Sequence, residues 1–385
     1  MWRAMDVFVG VLLSLFLATN FAIAAAAAGL HHQQQQQPYE AIFNFGDSLS
    51  DVGNLIVANP KAFSVVGKLP YGQTYFGRPT GRCSDGRLIV DFLAEAYGLP
   101  FMPPYLNLSK PEDGLRGTNF AVAGATALDK SFYIKLGIGS LLWTNESLAT
   151  QVAWFQKLKP SLCSTNKECD AYLKKSLFLV GEIGANDYNY VGLTGAGSEE
   201  LRKMVPQVIE SISNAVTTLV QVGAVNIVVP GNVPLGCSPV YLTFLQSDNK
   251  KDYNRYGCLT AFNSLAIYHN QLLLASLAKL RKAHPHARIM YADYYKAGMR
   301  FVYAPAHFGF NKNNKLRACC GGGGQYNVDF GAWCGMQGAP ACMDPSKYAA
   351  WDGLHLTEAA YRHMTVALIN GSVVYPPMAQ PVSAI

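Results

Sequence analysis

The sequence has few charged residues and no block of charge of one sign. Asp, Glu, Lys and Arg make up 15% of the 385 residues, and the formal net charge of +6 is not concentrated in any run. Because proteins that bind nucleic acid usually show a basic stripe, the chain is not expected to bind DNA or RNA. No Cys-x-x-Cys pair is present, which disfavours a cysteine-bound metal. No linker, internal repeat or long hydrophobic lid is evident either, so we expect one large domain.

The N-terminus has the pattern of a targeting segment. Residues 1–28 combine a positive start at Arg3, an apolar stretch and small-residue cleavage sites at 24–28. An uncleaved anchor is the alternative, because the stretch 7–28 is nearly long enough to cross a membrane, although its polar interruptions favour cleavage. A Gln-rich spacer over 29–38 has nothing to pack. We therefore expect a secreted protein of the extracellular space or cell wall without a stable membrane span, with a Golgi location as the alternative.

Nine cysteines behind a signal peptide predict disulfides formed in an oxidising compartment. Their spacing suggests three groups, with the pairing inside the third left open: Cys163 with Cys169, Cys237 with Cys258, and the set Cys319, Cys320, Cys334 and Cys342. Cys83 is left over. Three glycosylation sequons, at Asn107, Asn145 and Asn370, agree with a secretory route.

Strand patterns alternate with helical patterns along the chain, which predicts an α/β domain with a parallel sheet. Apolar runs predict strands over 39–45, 119–125, 176–180, 225–229 and 288–292, and helical periodicity predicts helices over 88–97, 146–158, 198–222, 253–283 and 358–370. The single domain is placed at 39–370, with a C-terminal tail over 371–385. The segment 302–350 has little regular pattern and holds four cysteines, so we expect a stapled loop that fixes the turn after it.

A serine follows the first predicted strand almost at once. Gly46 ends that strand, so Ser48 comes to the carboxyl edge of the sheet, where parallel sheets place their chemistry. Serine needs a base to take its proton. Asp352 and His355 lie three residues apart in one turn, where the carboxylate can orient the imidazole toward Ser48. Each motif alone is weak, but together they predict a catalytic triad.

Two other strand ends offer hydrogen-bond donors to the same edge. The backbone N–H groups of Ser48 and Gly124 and the side-chain amide of Asn186 suit the oxyanion that forms in ester hydrolysis. The alternative for Gly124 is close packing of a helix on a strand. For Asn186 and Asp187 the alternative is capping of a turn.

These blocks, 46–49, Gly124, 184–187 and 352–355, resemble the four blocks of the GDSL esterase/lipase family within the SGNH hydrolases. The resemblance covers about 39–370 and extends to the size and cysteine pattern of the plant secreted branch. It implies a three-layer α/β/α, flavodoxin-like fold with a parallel central sheet. The roles that it implies are Ser48 as nucleophile and oxyanion donor, Gly124 and Asn186 as further oxyanion donors, His355 as base and Asp352 as orienting acid. No metal or organic cofactor is implied.

The activity that the resemblance implies is hydrolysis of carboxylic esters, most simply acetyl esters, through an acyl-Ser48 intermediate. Five aromatic residues near the blocks favour an acetylated cell-wall polysaccharide such as acetylxylan, and equally suit packing: Tyr71, Tyr75, Phe76, Tyr188 and Tyr190. Lipids and small-metabolite esters are the alternative substrates. An acyltransferase would use the same acyl-Ser48, whereas an inactive binding protein is disfavoured by the intact triad residues.

Overall fold

A mostly parallel sheet runs through the centre of the protein. The computed structural model describes residues 37–385, so the predicted signal peptide and nearly all of the Gln-rich spacer lie outside the described residues. The strands are β1 (Ala41–Phe45), β2 (Gly117–Asn119), β3 (Ser176–Val180), β4 (Asn226–Pro230), β5 (Arg288–Ala292) and β6 (Val374–Tyr375). Their order is β2-β1-β3-β4-β5-β6, and β6 pairs antiparallel with β5 while the other pairs are parallel.

Helices connect the strands. They are α1 (Asn54–Ala58), α2 (Ile89–Ala96), α3 (Lys130–Lys135), α4 (Leu148–Leu158), α5 (Asn166–Lys174), α6 (Ala185–Gly192), α7 (Ser198–Gln221), α8 (Pro239–Phe244), α9 (Thr260–Ala283), α10 (Tyr294–Tyr303) and α11 (Glu358–Ile369). Six of these helices were not predicted, namely α1, α3, α5, α6, α8 and α10, and neither was β6. All seven elements are short, and short elements carry too few periods of the hydrophobic pattern to stand out.

The two faces of the sheet bury two separate cores. Phe43, Phe45 and Phe178 point into a core shared with α4, α7 and α9. Their strand neighbours Ile42 and Leu177 point the other way, into a core shared with α2, α10 and α11. Because successive strand residues face opposite sides, the nearly continuous apolar strands fill both cores. The result is the three-layer α/β/α arrangement that the family resemblance implied.

Two predicted elements end differently from the prediction. The strand expected over 119–125 is only Gly117–Asn119. Beyond it the N–H of Ala121 bonds the side chain of Asn119 and the N–H of Ala123 bonds that of Asp51. Because β2 is an edge strand, these polar side chains take the backbone donors on the outer side of this segment. The helix expected from 253 begins at Thr260. The preceding loop is held by the Asn254 side chain, which accepts from two backbone N–H groups.

The cysteines pair within the groups suggested by their spacing. The disulfides are Cys163–Cys169, Cys237–Cys258, Cys319–Cys342 and Cys320–Cys334, and Cys83 is free and buried. The prediction of disulfides is thus confirmed, and the pairing inside the group of four is now defined. Among the described residues, no helix is both long and apolar enough to cross a bilayer.

Candidate active site

Ser48 lies in a tight loop after β1, and buried polar groups hold this loop from two sides. Gly46 has φ +148°, and a Cβ there would come 2.8 Å from Ser50 Oγ and 2.9 Å from the Glu182 carbonyl, so glycine is required. The side chain of Gln151, from α4, accepts from the N–H of Gly46 at 2.8 Å and donates to its carbonyl at 2.9 Å. These two hydrogen bonds, to the peptide groups on either side of the Gly46 Cα, fix where the chain turns toward Ser48.

Asp51 ties the serine loop to the segment that carries Gly124. Its buried carboxylate accepts from the N–H groups of Gly53, Asn54, Leu55 and Ala123, at 2.6 to 3.0 Å. Burial raises the pKa of Asp51, and these four backbone donors oppose that rise by favouring the ionised form. The two loops are therefore held in one relative position by a single side chain.

Asp352 and His355 form a buried hydrogen-bonded pair. His355 Nδ1 lies 2.7 Å from Asp352 Oδ2 and 2.9 Å from Oδ1, and each residue is 1% exposed. The same carboxylate accepts from the backbone N–H of His355 at 2.9 Å, so the turn and the ring share one anchor. Burial would raise the pKa of Asp352, but the charge of His355 and its hydrogen bonds outweigh burial and lower that pKa.

A third side chain completes the surroundings of the carboxylate. The hydroxyl of Tyr71 donates to Asp352 Oδ2 at 2.6 Å and accepts from Trp333 Nε1 at 3.2 Å. Burial, followed by the neighbouring negative charge, raises the pKa of Tyr71 well above its ordinary value, so the hydroxyl keeps its proton. Sequence reasoning missed this role, because it placed Tyr71 among residues near the substrate.

The stapled loop supports the turn directly. The N–H of Cys319 bonds the Ala350 carbonyl at 3.0 Å, and the N–H of Cys320 bonds the Trp351 carbonyl at 2.7 Å. The N–H of Trp351 in turn bonds the His355 carbonyl at 2.8 Å. The contacts match the expectation that this loop fixes the turn.

One cavity brings the predicted groups together. Ser48, Asn186 and His355 all line it, and its volume is about 40 Å³. Asp352, which is bonded to Nδ1 of His355, is not among the residues that line this cavity. Within residues 37–385 no hydrogen bond joins the Ser48 hydroxyl to the imidazole. The distance between a catalytic hydroxyl and its base commonly shortens when substrate binds.

Two of the expected oxyanion donors are backbone N–H groups, and the third is a side-chain amide. Within residues 37–385, neither the N–H of Ser48 nor that of Gly124 donates a hydrogen bond. Asn186 Nδ2 donates one hydrogen to the Ala125 carbonyl at 3.1 Å, which leaves its second hydrogen unused. Gly124 is not among the residues that line the cavity. It has φ +83°, and its carbonyl accepts from Tyr190 at 3.1 Å.

Comparison with known proteins shows the family of the chain. The family described as GDSL-like Lipase/Acylhydrolase matches residues 42–368. The chain belongs to this family. A GDSL esterase/lipase of Arabidopsis thaliana is 51% identical over 343 residues, covering 88% of this chain and 92% of the relative. A second GDSL esterase/lipase from that plant is 43% identical over 97% of the chain and 93% of its own length. Sinapine esterase of Brassica napus is 44% identical, over 88% and 87%.

This GDSL chain holds its candidate oxyanion amide with two residues that sequence reasoning missed. Asn189 Nδ2 donates to Asn186 Oδ1 at 3.0 Å, and the Tyr241 hydroxyl donates to Asn189 Oδ1 at 2.7 Å. This series of bonds fixes the Asn186 amide with its oxygen toward Asn189, so its NH₂ faces Ala125 and the cavity. The spacing of Asn186 and Asn189 on one helix was the available signal.

Asp187, the neighbour of Asn186, has a structural task. It accepts from the N–H groups of Ala127 and Leu128 and from the hydroxyl of Tyr133, at 2.7 to 3.0 Å. Burial raises its pKa to about 6 in spite of these donors. Asp187 therefore fastens the loop after Gly124 to the start of α6, rather than capping a turn as the alternative prediction had it.

The aromatic residues near the GDSL blocks are mostly interior. Tyr71, Tyr188 and Tyr190 are buried, and Tyr188 bonds His269 at 2.8 Å. Tyr75 is 47% exposed, but its ring is stacked under the Arg87 guanidinium, at 4.0 Å. None of them lines the Ser48 cavity. No cluster of His, Cys, Asp and Glu suited to a metal ion occurs in the described part of the chain.

Proposed function

We propose that this chain is a serine esterase that acts through an acyl-Ser48 intermediate. The observation that carries the proposal is the single cavity lined by Ser48, Asn186 and His355, with the imidazole hydrogen-bonded to a buried carboxylate. Membership of the GDSL family supports ester hydrolysis as the reaction class. These residues supply a nucleophile, a base with an orienting acid, and a donor for the oxyanion.

The proposed reaction has two steps. His355 takes the proton of Ser48 while Oγ attacks the ester carbonyl, and the N–H groups of Ser48 and Gly124 and the amide of Asn186 stabilise the oxyanion. His355 then gives its proton to the leaving alcohol. Water repeats the sequence on the acyl-serine and releases the acid. An alcohol in place of water would give acyl transfer at the same site.

For the substrate, we propose a small acyl group such as acetyl. The cavity at Ser48 is small, at about 40 Å³. A cell-wall polysaccharide such as acetylxylan remains a candidate alcohol part, but the aromatic residues that favoured it are largely buried. The relative named sinapine esterase supports a small-metabolite ester as the second candidate. The residues that line the cavity give no specific support for a lipid substrate.

We also propose a secretory location. The four disulfides require oxidising conditions to form. Asn107, Asn145 and Asn370 are all exposed, as glycosylation acceptors need to be. Analysis of the secreted protein with and without removal of N-glycans tests this, and a mass unchanged by glycosidase would contradict the glycosylation.

Turnover of p-nitrophenyl acetate tests the function. The wild-type protein should release nitrophenol, and Ser48→Ala and His355→Ala should each lower kcat by about 10³-fold or more. Asn214→Ala, an exposed change on α7, is the matched control with unchanged turnover. A screen of acetylxylan, acetylpectin, triglyceride and phenolic esters then ranks the substrates. Full activity in the Ser48 variant would overturn the proposal.

A further inference from the structure

A second cavity lies beside His355. It is small, at about 80 Å³, and is partly open to solvent. Val233, Ser238, Leu354 and His355 line both this cavity and the one that contains Ser48, so the two spaces adjoin at the imidazole. Neither Ser48 nor Asn186 lines the second cavity.

The position of this cavity assigns it to one part of an ester. In the proposed reaction, His355 gives a proton to the departing alcohol oxygen, so that oxygen must lie at the imidazole. The carbonyl oxygen lies instead toward Asn186 and the Ser48 N–H. A cavity bounded by His355 but not by the oxyanion donors is therefore on the side of the alcohol.

The lining of the cavity is apolar with a single permanent charge. Its walls include Pro234, Phe301, Val302 and Leu356, whereas its charged or titratable members are Lys315 and His355. The polar lining groups are already committed: Ser238 Oγ donates to the Gly353 carbonyl at 2.7 Å, and Cys237 is in a disulfide. No carboxylate lines the cavity.

Lys315 is free to pair with a ligand. Within the described residues it takes part in no salt bridge. Its Nζ lies 5.9 Å from the centre of the Tyr256 ring. A half-buried ammonium at the border of an apolar space attracts an anion and repels a cation more strongly than the same charge in water does.

We propose that this second cavity, the alcohol cavity, binds the alcohol part of the ester and that Lys315 makes it select an apolar alcohol bearing a carboxylate. The proposal rests on the proposed esterase function. It predicts a charge preference of anionic over neutral over cationic alcohol, with the acyl group held constant.

Three acetate esters of similar shape test this preference. They are the acetates of 4-(hydroxymethyl)benzoate, of 4-methylbenzyl alcohol and of 4-(trimethylammonio)methyl-benzyl alcohol. The wild-type kcat/KM for the anionic ester should exceed that for the cationic ester by about tenfold or more. Lys315→Met should bring this ratio to within about twofold, and Lys315→Glu should invert it. Lys312→Met, an exposed change on the neighbouring turn that does not line the cavity, should keep the wild-type ratio.

A second series separates the alcohol side from the acyl side. Methyl esters whose acyl part carries the same three substituents should show no change in charge preference between wild type and Lys315→Met. A response confined to the acyl series, or equal ratios for all variants in the alcohol series, would overturn the assignment. Wild-type turnover of p-nitrophenyl acetate that is lost in Ser48→Ala keeps this outcome distinct from failure of the esterase proposal itself.

Discussion

Tyr71 shows how a single hydroxyl can tune the buried carboxylate of Asp352. The ring is fully buried, and its O–H is one of the donors that keep the pKa of Asp352 low. Because the folded-state pKa of this carboxylate is depressed, its ionisation contributes stability above the unfolded pKa of about 4. That contribution is lost as the pH falls through the folded value.

Tyr71→Phe should therefore lower stability in a pH-dependent manner. At pH 7 we expect the free energy of unfolding to fall by about 1–3 kcal/mol, since Asp352 and Trp333 each lose a partner. The difference from wild type should shrink as the pH falls below about 4 and through the depressed folded-state pKa of Asp352. Urea titrations between pH 3 and 7 measure it. Tyr97→Phe, which removes a hydroxyl bonded to the Ala379 carbonyl, is the control, and its cost should be the same at every pH. A parallel pH profile for both variants would contradict the account.

At the scale of single residues, the residue types that ester hydrolysis requires could be predicted from the sequence. A nucleophilic serine, an imidazole and a carboxylate are recognisable in short motifs, and the structure places Ser48 and His355 at one cavity. Tyr71 and Gln151 could not be found in this way. Tyr71 meets Asp352 across 281 positions and Gln151 meets Gly46 across 105, and neither has a local pattern that marks its partner.

At the scale of elements, helix α6 carries the amide proposed to bind the oxyanion and the residue that supports this amide. Asn186 and Asn189 lie three residues apart on one face, and the Tyr241 hydroxyl of α8 fixes the second amide. Under the proposed mechanism Asn189 is a positioning residue, since it would act on the oxyanion only through Asn186. It also lines the Ser48 cavity.

Asn189→Ala should lower kcat rather than raise KM. Without its donor the Asn186 amide can rotate, and we expect a loss of about tenfold in kcat, less than the ~10²–10³ typical when an oxyanion donor is removed. Kinetics on p-nitrophenyl acetate and thermal unfolding of the same samples separate the two roles. A fall in the unfolding temperature with unchanged kcat would show that Asn189 is only structural.

The stapled loop, residues 302–350, is the second element whose role can be tested. The pair Cys320–Cys334 closes a loop of 14 positions, and Trp333 beside it bonds Tyr71. Replacing both cysteines with serine should cost about 3 kcal/mol by chain entropy and should also lower kcat/KM. Chemical denaturation and ester kinetics measure both effects.

The matched control is the pair Cys163–Cys169, which closes 6 positions away from the active-site turn. Its removal should cost about 2 kcal/mol and leave kcat/KM unchanged. Equal kinetic effects of the two double variants would contradict the role given to the stapled loop.

Elements were predictable where hydrophobic patterns alone decide the structure. The strands 176–180 and 288–292 have the predicted bounds because their residues are nearly all buried. The segment 119–125 also reads as apolar, but the strand ends at Asn119, and beyond it Asp51 bonds the N–H of Ala123. This contact joins residues 72 positions apart, so the local hydrophobic pattern could not reveal it.

At the scale of the whole molecule, the pairing and burial of the cysteines determine how many thiols can react. Cys83 is free and fully buried, and burial, followed by the charges of Asp352 and two other aspartates, raises the pKa of its thiol well above the ordinary value. Both effects suppress reaction with a thiol reagent.

The folded protein should therefore show no reactive thiol. After unfolding in guanidinium without reductant, about one thiol per chain should react with Ellman's reagent, and reductant should reveal the remaining eight cysteines. Absorbance titration measures both counts. Two or more reactive thiols in the unreduced, unfolded chain would show that the disulfide set is wrong.

The central claim is that His355 activates Ser48 and no other side chain. Labelling with diethyl p-nitrophenyl phosphate, followed by peptide mass spectrometry, tests it most directly. The account predicts one diethylphosphoryl group per chain on Ser48, loss of esterase activity in step with labelling, and labelling slowed by about 10³-fold in His355→Ala. Inactivation that accompanies labelling at another residue, or an equal labelling rate without the imidazole, would contradict it.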